Sequence, residues 1–268
     1  MSMKGMIKRV VEGSNFLIRL WMHYWNNLEC RNNVVVLRNI NNIGNNILLK
    51  GKGYISFSAR SYMRKCKVDV RGENNKIVVN EDSCFYNSKI RCFGHNNEII
   101  IGKRCEVYNC DFFISGDGNR IIIKDMYKAH NAEFQLVQNA NRIWVKRGTT
   151  MHGRDCCAIH MVADEGKSII IGEDCMLSKS IQIRTSDSHS VTDLKGKRLN
   201  PSADVVIGDH CWISLGCIIL KGTDIASHSV VAAGAICTKK YEEEHCVLAG
   251  NPAKIVKRQI DWDRKFVK

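Results

Sequence analysis

One histidine stands between two aspartates in the polar stretch "IRTSDSHSVTD" at 183–193. An imidazole with its ordinary pKa of about 6.5 is mostly neutral at pH 7, so it can accept a proton from an attacking hydroxyl or amino group. Asp187 and Asp193 lie two residues before and four residues after His189, and either carboxylate could hold the second ring nitrogen. The pattern predicts a general base at His189. It leaves the choice of aspartate open, and each aspartate could instead contact a substrate or cap a turn.

Repeats that precede this stretch indicate the scaffold that must position it. Segments beginning at residues 72, 94, 116 and 138 align with a period of 22 residues, and less regular copies lie at 44–50 and 166–184. The alignment gives two apolar columns, Ile77, Ile99, Ile121, Ile143 and Phe85, Val107, Ala129, Met151. Short apolar runs separated by Gly and Asn predict short strands joined by tight turns.

Two polar columns accompany the apolar ones. Asparagine tolerates the left-handed backbone of tight turns, and stacked amides can bond to each other, which we expect at Asn87, Asn109 and Asn131. Aromatic and imidazole rings are expected to stack from coil to coil at Tyr86, Tyr108, His130 and His152. We interpret this second column as a structural ladder rather than a ligand surface.

The period shortens to six residues after residue 204. Aliphatic residues recur at Ile207, Ile213, Ile219, Ile225 and Val231. Three units of six make an 18-residue coil in which each unit forms one side of a triangle and each aliphatic side chain points inward. The pattern predicts an all-β solenoid of parallel coils, whose 22-residue copies carry about four extra residues in their turns.

The stretch from Ser186 to Ser202 is too long for the corner of such a coil, and its composition is polar. We expect it to leave the coil as a projecting loop, 186–202. Loops held by a rigid β-scaffold commonly carry catalytic groups. The loop would therefore present His189 away from the solenoid.

The solenoid is predicted to cover 44–258, with a helical segment at 1–43 and a C-terminal tail at 259–268. Apolar residues near helical spacing predict a helix that covers one end of the coil, at Val10, Leu17, Trp21 and Leu28. This apolar stretch is too short to span a bilayer. Its tryptophans and nearby basic residues leave peripheral contact with the inner face of a membrane open as an alternative.

The charge and the cysteines restrict the partners and the compartment. Lysine and arginine outnumber aspartate and glutamate by 40 to 27, and this net charge of +13 predicts an anionic partner. Basic residues are not interleaved with aromatics as in proteins that bind single-stranded nucleic acid, so a nucleic-acid partner is disfavoured.

The cysteines number 13, an odd count, and include no CxxC pair. We therefore expect a reducing, cytoplasmic location, buried thiols and no metal site.

The C-terminal part carries a family signature. The segments "VVIGDHCWISLGCIILKGTDIASHSVVAAGAICTKK" (205–240) and "LAGNPAKIVKR" (248–258) follow "SDSHSVTD". Together they resemble the hexapeptide-repeat acyltransferases, the left-handed β-helix family, and among them the O-acetyltransferases that modify bacterial capsular and other surface polysaccharides. The resemblance implies a left-handed parallel β-helix, acetyl-CoA as donor, a sugar hydroxyl as acceptor, and a homotrimer with active sites between subunits.

The same resemblance assigns residues to the donor. His189 matches the position of the family's general base. Trp212 is expected to point outward beside the loop, near donor and acceptor. Small residues that let the pantetheine arm approach the backbone are expected at Ala232, Ala233 and Gly234, and cations for the phosphates at Lys239, Lys254, Lys257 and Arg258.

The loop also carries cations near the expected acceptor, Lys197 and Arg198 together with Lys195. Such cations favour an anionic glycan, for example one that contains sialic or uronic acid. An N-acetyltransferase of an amino-nucleotide sugar on the same scaffold is the alternative, since that reaction also uses a histidine base. A metal-dependent hydratase is disfavoured because His189 has no histidine neighbour at ligand spacing. An ice-binding solenoid is disfavoured because Thr does not recur by coil.

Overall fold

Three faces of short strands enclose a narrow apolar interior. Side chains alternate between the interior and the surface along each strand, as the pleat of β-structure requires. The computed structural model describes residues 27–30, 34–37, 43–58, 60–153 and 158–265. These residues form thirty strands, with no helix among them, in three sheets of ten that we name A, B and C.

The strands visit the sheets in repeating order along the chain. Sheet A contains β1 (Asn27–Cys30), β3 (Asn46–Lys50), β6 (Lys67–Arg71), β9 (Lys89–Phe93), β12 (Asp111–Ser115), β15 (Ala132–Val137), β18 (Ile159–Asp164), β21 (Gln182–Arg184), β24 (Ile218–Ile219) and β27 (Ile236–Cys237). Sheet B contains β2 (Val34–Leu37), β4 (Gly53–Phe57), β7 (Asn75–Val79), β10 (Glu98–Ile101), β13 (Arg120–Ile123), β16 (Arg142–Val145), β19 (Ser168–Ile171), β22 (Val205–Ile207), β25 (Asp224–Ile225) and β28 (Lys240–Tyr241). Sheet C contains β5 (Tyr62–Arg64), β8 (Cys84–Tyr86), β11 (Glu106–Tyr108), β14 (Lys128–His130), β17 (Thr150–His152), β20 (Met176–Leu177), β23 (Trp212–Ile213), β26 (Val230–Val231), β29 (Val247–Gly250) and β30 (Ala253–Lys257).

Each strand pairs in parallel with the equivalent strand of the neighbouring coil. Ile99 lies beside Ile77 on one side and Ile121 on the other, in the register that the 22-residue period predicts. Within the described residues, β29 and β30 are the exception, because they pair antiparallel. The predicted all-β solenoid and its apolar columns are therefore confirmed.

The turns between the sheets form three edges that run along the solenoid. We call them the A–B, B–C and C–A edges after the sheets that each turn joins. The connection from β21 to β22 lies on the A–B edge and contains loop 186–202. The loop is hairpin-like, since Thr192 bridges Arg198 and the N–H of Leu199 donates to the carbonyl of Val191 at 2.7 Å. Leu194 at its tip is fully exposed.

The coils are wider before the loop than after it. In sheet A the five residues of β12 shorten to two in β24, and in sheet B the four residues of β10 shorten to two in β25. The extra residues of the 22-residue repeats therefore lengthen strands, and the expectation that they lie in turns is wrong. The wider section holds the stacked rings of Phe85, Phe112 and Phe134, with centroids 5.8 and 4.7 Å apart.

Buried asparagines join successive coils at the A–B edge. Asn75, Asn97, Asn119 and Asn141 are at most 2% exposed. The amide of Asn97 donates to the carbonyl of Gly116 at 2.8 Å, and its oxygen accepts from the N–H of Asn119 at 2.9 Å. Because a buried amide is costly unless it is hydrogen-bonded, these bonds favour one register between coils.

The predicted outer ladders are also present. The asparagines of the turn column have left-handed φ values of 49, 54 and 53°, at Asn87, Asn109 and Asn131. The Asn87 amide donates to the oxygen of Asn109 at 2.8 Å. In the ring column, Tyr108 stacks on His130 with a centroid separation of 4.9 Å. Both columns form contacts between successive coils.

Cysteines serve as small apolar residues of the core. The ten whose side chains are described are all free and buried. Burial raises the pKa of the Cys92 thiol to about 12. Such a thiol stays protonated at neutral pH and is a poor nucleophile. The predicted use of buried thiols as packing groups is confirmed for these residues.

Both ends depart from the predicted division of the chain. Strands β1 and β2 lie within 1–43 and pair in parallel with β3 and β4, so the solenoid begins before residue 44. Most of the predicted helix lies in 1–26, outside the described residues. At the other end, residues 259–265, which we call the C-terminal segment, fold back onto the B–C edge. Of the residues described, none belongs to a helix with the length and hydropathy needed to cross a bilayer.

Gly116 and Gly118 provide a matched test of coil packing. Gly116 has a φ of 131°, and a Cβ there would overlap the carbonyl oxygen of Gln138 in the next coil. Gly118 has a φ of 67° and open space around it. Gly116→Ala should lower the free energy of unfolding by about 3 kcal/mol or more, and Gly118→Ala by about 1–2 kcal/mol. Urea denaturation measures both; equal losses would contradict the described coil spacing.

Candidate active site

The loop is attached to the solenoid by a buried hydrogen-bond chain at its base. The Ser186 hydroxyl donates to the Asp164 carboxylate at 3.0 Å, and the N–H of Ser188 donates to Ser186 Oγ at 3.1 Å. The Asp164 N–H also donates to the Thr185 hydroxyl at 2.9 Å. Ser186 and Asp164 are 4% and 5% exposed, so the chain enters the loop from a fixed point.

Asn200 joins the two arms of the loop beside the histidine. Its amide donates to Asp187 Oδ2 at 2.7 Å and to the carbonyl of His189 at 2.8 Å, and its oxygen accepts from the N–H of Val191 at 2.7 Å. These bonds hold the His189 backbone in place. The side chain of His189 is exposed, and its ring makes no hydrogen bond to any described residue. The structure thus holds the His189 backbone and leaves the imidazole open to an incoming group.

Neither predicted aspartate contacts the imidazole within this chain. The Asp187 carboxylate pairs with the Lys221 ammonium and accepts a hydrogen bond from the Asn200 amide. Both contacts lower the pKa of the Asp187 carboxyl, and the Lys221 contact has the larger effect. The Asp193 carboxylate accepts the N–H groups of Lys195 and Lys197 at 2.9 and 2.8 Å and so caps the loop turn. The carboxylates shape the loop, and orientation of the His189 ring by either one stays a prediction.

The two predicted acceptor cations differ in their surroundings. Arg198 forms a bidentate pair with Glu165, at 2.8 and 2.7 Å, and this pairing lowers the pKa of the Glu165 carboxyl. Arg198 thereby fastens the loop to the coil that precedes it. The side chain of Lys197 is exposed and has no partner among the described residues. Lys197 is the one of the pair that is available to an anionic ligand.

A basic groove lies further along the A–B edge. Lys221 stands at this edge one coil after the loop, and Lys239 two coils after it. Coils are spaced by about 4.8 Å, so Lys239 lies about 10 Å along the edge from the loop base. The groove that begins there is lined by Lys239, Lys240, Tyr241, Glu242, Glu243, Lys254, Ile255 and Arg258. Three predicted cofactor cations therefore meet in one groove.

The predicted cofactor cations differ in whether they are already paired with a carboxylate. Arg258 pairs with Glu243 at 2.9 Å, whereas Lys239 lies over the ring of Tyr241 with its ammonium 5.8 Å from the centroid. Lys257 is exposed but does not line the groove. Lys239 and Lys254 are the best placed of the four to contact a phosphate.

The remaining predicted donor residues lie on other sides of the molecule. Ala232, Ala233 and Gly234 form the turn from β26 to β27, on the C–A edge. Trp212 lies in sheet C, 6.1 Å from the ring of Trp262. The side chain of Trp212 is half-buried rather than exposed, and its Nε1 is buried without a hydrogen-bond partner among the described residues. Its contact with donor or acceptor stays a prediction.

Sequence reasoning missed four residues that hold the loop: Lys221, Asn200, Glu165 and Asp164. Glu165 and Lys221 belong to the coils before and after the loop. A search of the A–B corner positions in these neighbouring coils would have pointed to them. Asn200 gave no such signal, because its role depends on how the hairpin closes.

Comparisons with known proteins agree with this geometry. The chain is 36% identical over 98 residues to a polysialic acid O-acetyltransferase of Escherichia coli O1:K1, and 36% identical over 106 residues to one of Neisseria meningitidis. These matches cover 36% and 39% of this chain and 32% and 49% of the relatives, so the chain spans a third to a half of the relatives' length. No family model matches the sequence.

Two solved structures share the fold over most of their length. The polysialic acid O-acetyltransferase OatWY aligns with a TM-score of 0.65 and 28% identity, over 82% of this chain and 92% of that one. The polySia-specific acetyltransferase NeuO aligns with a TM-score of 0.51 and 26% identity, over 66% of this chain and 83% of that one. The predicted resemblance to the hexapeptide-repeat, left-handed β-helix acyltransferases is confirmed. The expectation of an enzyme of the acyltransferase class agrees with these names.

Lys221→Met tests the electrostatics of the loop. Without the ammonium, the pKa of Asp187 should rise toward its ordinary value of about 3.9. A carboxyl group whose pKa is lower in the folded than in the unfolded state stabilises the fold at pH values above its unfolded-state pKa. This stabilisation is lost as the pH falls through the folded-state pKa. The variant should therefore lack this stabilisation, so its loop should be less ordered at neutral pH and should lose less order on acidification than that of the parent.

An NMR titration of the Asp187 carboxyl carbon measures this shift, with Lys195→Met as the control for an exposed loop cation. If Lys221→Met left the Asp187 titration unchanged, the described ion pair would be absent in solution.

Proposed function

We propose that the protein is an acetyl-CoA-dependent O-acetyltransferase that acts on a hydroxyl of a bacterial surface saccharide, such as a capsular polysaccharide. The supporting observation is the exposed His189, held by Asn200 at the same edge as a groove rich in lysine and arginine. The likeness to two relatives and two solved structures that are named as acetyltransferases of polysialic acid supports a saccharide hydroxyl over the amino group of a nucleotide sugar.

In the proposed reaction His189 acts as general base. Its neutral ring takes the hydroxyl proton as the sugar oxygen attacks the thioester carbonyl carbon, and negative charge moves to the carbonyl oxygen. The tetrahedral intermediate then collapses, the carbon–sulfur bond breaks, and the imidazolium returns the proton to the departing coenzyme A sulfur. The sugar ester and free thiol leave, and His189 is neutral again.

The donor is proposed to lie along the A–B edge. The phosphates of coenzyme A would bind Lys239 and Lys254, while the pantetheine arm follows the edge toward the loop. Phosphate binding needs cations that are not already paired, and these two lysines meet this condition better than Arg258. An anionic cofactor at this end also accounts for part of the net charge of +13.

A homotrimer is proposed because the predicted donor residues occupy two edges of one chain. The turn at 232–234 lies on the C–A edge and His189 on the A–B edge, so they cannot line one cleft in a single chain. In a threefold arrangement the C–A edge of one subunit can face the A–B edge of its neighbour. The exposed loop side chains Val191, Leu194 and Leu199 would then pack against that neighbour.

The acceptor is proposed to be anionic. Lys195 and Lys197 are exposed on the loop that carries His189. Turnover of an acidic oligosaccharide should fall with added salt, whereas a neutral oligosaccharide of equal length should react slowly at any salt. Equal turnover of both would remove this part of the proposal, and preference for an amino sugar would favour the N-acetyltransferase alternative. A cytoplasmic site of action is proposed as well, since acetyl-CoA is available there.

His189→Ala should reduce kcat for acetyl transfer by about 10²–10⁴-fold, because the hydroxyl then has no positioned base. The KM for acetyl-CoA should change little. The control is His95→Ala, an exposed histidine on the same edge in an earlier coil. Release of free thiol from acetyl-CoA in the presence of acceptor measures the rate. An undiminished kcat in the His189 variant would refute the proposed base.

Replacement of Lys239 and Lys254 by methionine should raise the KM for acetyl-CoA about 10-fold, because two charge-assisted contacts to phosphate are lost. The kcat should stay near that of the parent, since the groove lies away from the imidazole. Lys67→Met, an exposed lysine of sheet A far from the groove, is the control. A KM equal to that of the parent would place the phosphates elsewhere.

A further inference from the structure

A second cluster of chemically competent side chains lies on the B–C edge, away from the loop. His210 and His228 are 18 residues apart, and His245 follows in the next coil. All three have left-handed backbone, with φ values of 51, 59 and 55°. Their ring centroids are 5.3 and 4.7 Å apart along the edge. The proposed acetyl transfer uses none of them.

The C-terminal segment brings a carboxylate to these rings. Trp262 stacks on His210 with a centroid separation of 4.5 Å, and its indole donates to the His210 carbonyl at 2.8 Å. The Arg264 guanidinium donates to the Asp174 carboxylate and to the Thr150 hydroxyl, both at 2.8 Å. These anchors hold the preceding residue, Asp261, beside the histidines.

Three ligand atoms converge at this point. Asp261 Oδ1 lies 3.5 Å from His210 Nε2 and 4.0 Å from His228 Nδ1. All three atoms lie within 4.8 Å of one another. In a tetrahedral zinc site with bonds of about 2.1 Å, the ligand atoms are about 3.4 Å apart. Small side-chain rotations bring the three to that spacing, and the Asp261 side chain, 61% exposed, has room to rotate.

The surroundings leave both imidazoles with a nitrogen for a cation. His210 Nδ1 lies 2.7 Å from Asp174 Oδ2, and Nε2 faces two acceptors, the Trp262 carbonyl oxygen and Asp261 Oδ1, so a cation would bind Nε2 in place of a proton. Carboxylates commonly hold metal-bound histidines in this way. His228 Nδ1 is buried and makes no hydrogen bond within the described part of the chain. The carbonyl oxygen of Trp262, 3.1 Å from His210 Nε2, is the contact that a bound cation would replace.

We propose that His210, His228 and Asp261 bind a divalent transition metal, with Zn²⁺ preferred. Two imidazole nitrogens and one carboxylate oxygen suit zinc, whereas magnesium and calcium take oxygen ligands. Three protein ligands leave a fourth position for water. The metal joins two coils to the C-terminal segment and so fastens that segment to the solenoid. This site departs from the sequence-based expectation of no metal, under which the 18-residue spacing of His210 and His228 indicated only two rings stacked on a solvated face.

Calorimetric titration of the full chain with Zn²⁺, after removal of metal by a chelator, tests the proposal. One equivalent should bind, and amide exchange over residues 259–265 should slow. His228→Gln should weaken binding at least 100-fold, and Asp174→Asn by about 10–100-fold because the His210 ring is then less well held. His95→Gln is the control, since this exposed histidine lies on the A–B edge, away from the triad, and the variant should bind zinc like the parent.

Circular dichroism separates lost ligation from lost folding, because each variant should retain the parent's β spectrum. Co²⁺ in place of zinc reports the ligand type through its visible absorption. No zinc binding by the folded parent would overturn the proposal, as would equal affinity in the folded His228→Gln variant or thiolate bands with Co²⁺. These outcomes are independent of acetyl transfer, so the proposed function stands or falls separately.

Discussion

Backbone hydrogen bonding between coils, in fixed register, is the constraint on which the rest of the structure depends. Because each strand pairs with its equivalent in the next coil, the place of a residue within its coil decides which edge it occupies. The buried asparagines reinforce this register at the A–B edge. Further along the same edge, the corner positions carry the loop, then Lys221, and then Lys239, at which the basic groove begins. The repeat that packs the core therefore also aligns the candidate catalytic and cofactor-binding groups.

The loop occupies the boundary between wide and narrow coils, and both sides hold it. In the preceding coil, Asp164 accepts a hydrogen bond from Ser186, and Glu165 pairs with Arg198. The following coil supplies Lys221 for Asp187. Within the loop, Asn200 links the two arms at His189. A histidine on a long polar excursion is thus fixed through its backbone while its ring stays open to solvent, which is the condition for a base that must meet a substrate.

Periodicity predicted the architecture well, because a solenoid repeats one short sequence pattern, and an alignment of the copies shows which positions recur. The apolar columns, the asparagine turns and the ring ladder all lie where the 22-residue and six-residue periods put them. The width of the coils was mispredicted, since spacing counts residues without showing whether they extend strands or turns. Trp212 was placed correctly as a residue outside the core, in a strand of sheet C.

The site was harder to predict than the scaffold. The sequence pointed to His189 and to Lys239 and Lys254 of the groove, because an imidazole base and an ammonium cation can be recognised from residue type alone. The partners Lys221 and Glu165 are distant in sequence, and their roles depend on which corners face each other. The fold-back of the C-terminal segment was missed for the same reason, because Trp262 and Arg264 act on coils 52 and 90 residues earlier in the chain.

The antiparallel pairing of β30 has a consequence for how copies of the molecule meet. A parallel coil whose last turn matched every other turn would present a ready surface for end-to-end addition, and copies could join into filaments. Here β30 reverses direction across the open side of sheet C, and β27 and β28 are only two residues long. Another copy that added at the carboxyl end would meet a reversed strand in sheet C and two-residue strands in sheets A and B, a poorer template than a regular parallel coil. The change of strand direction ends the parallel coil.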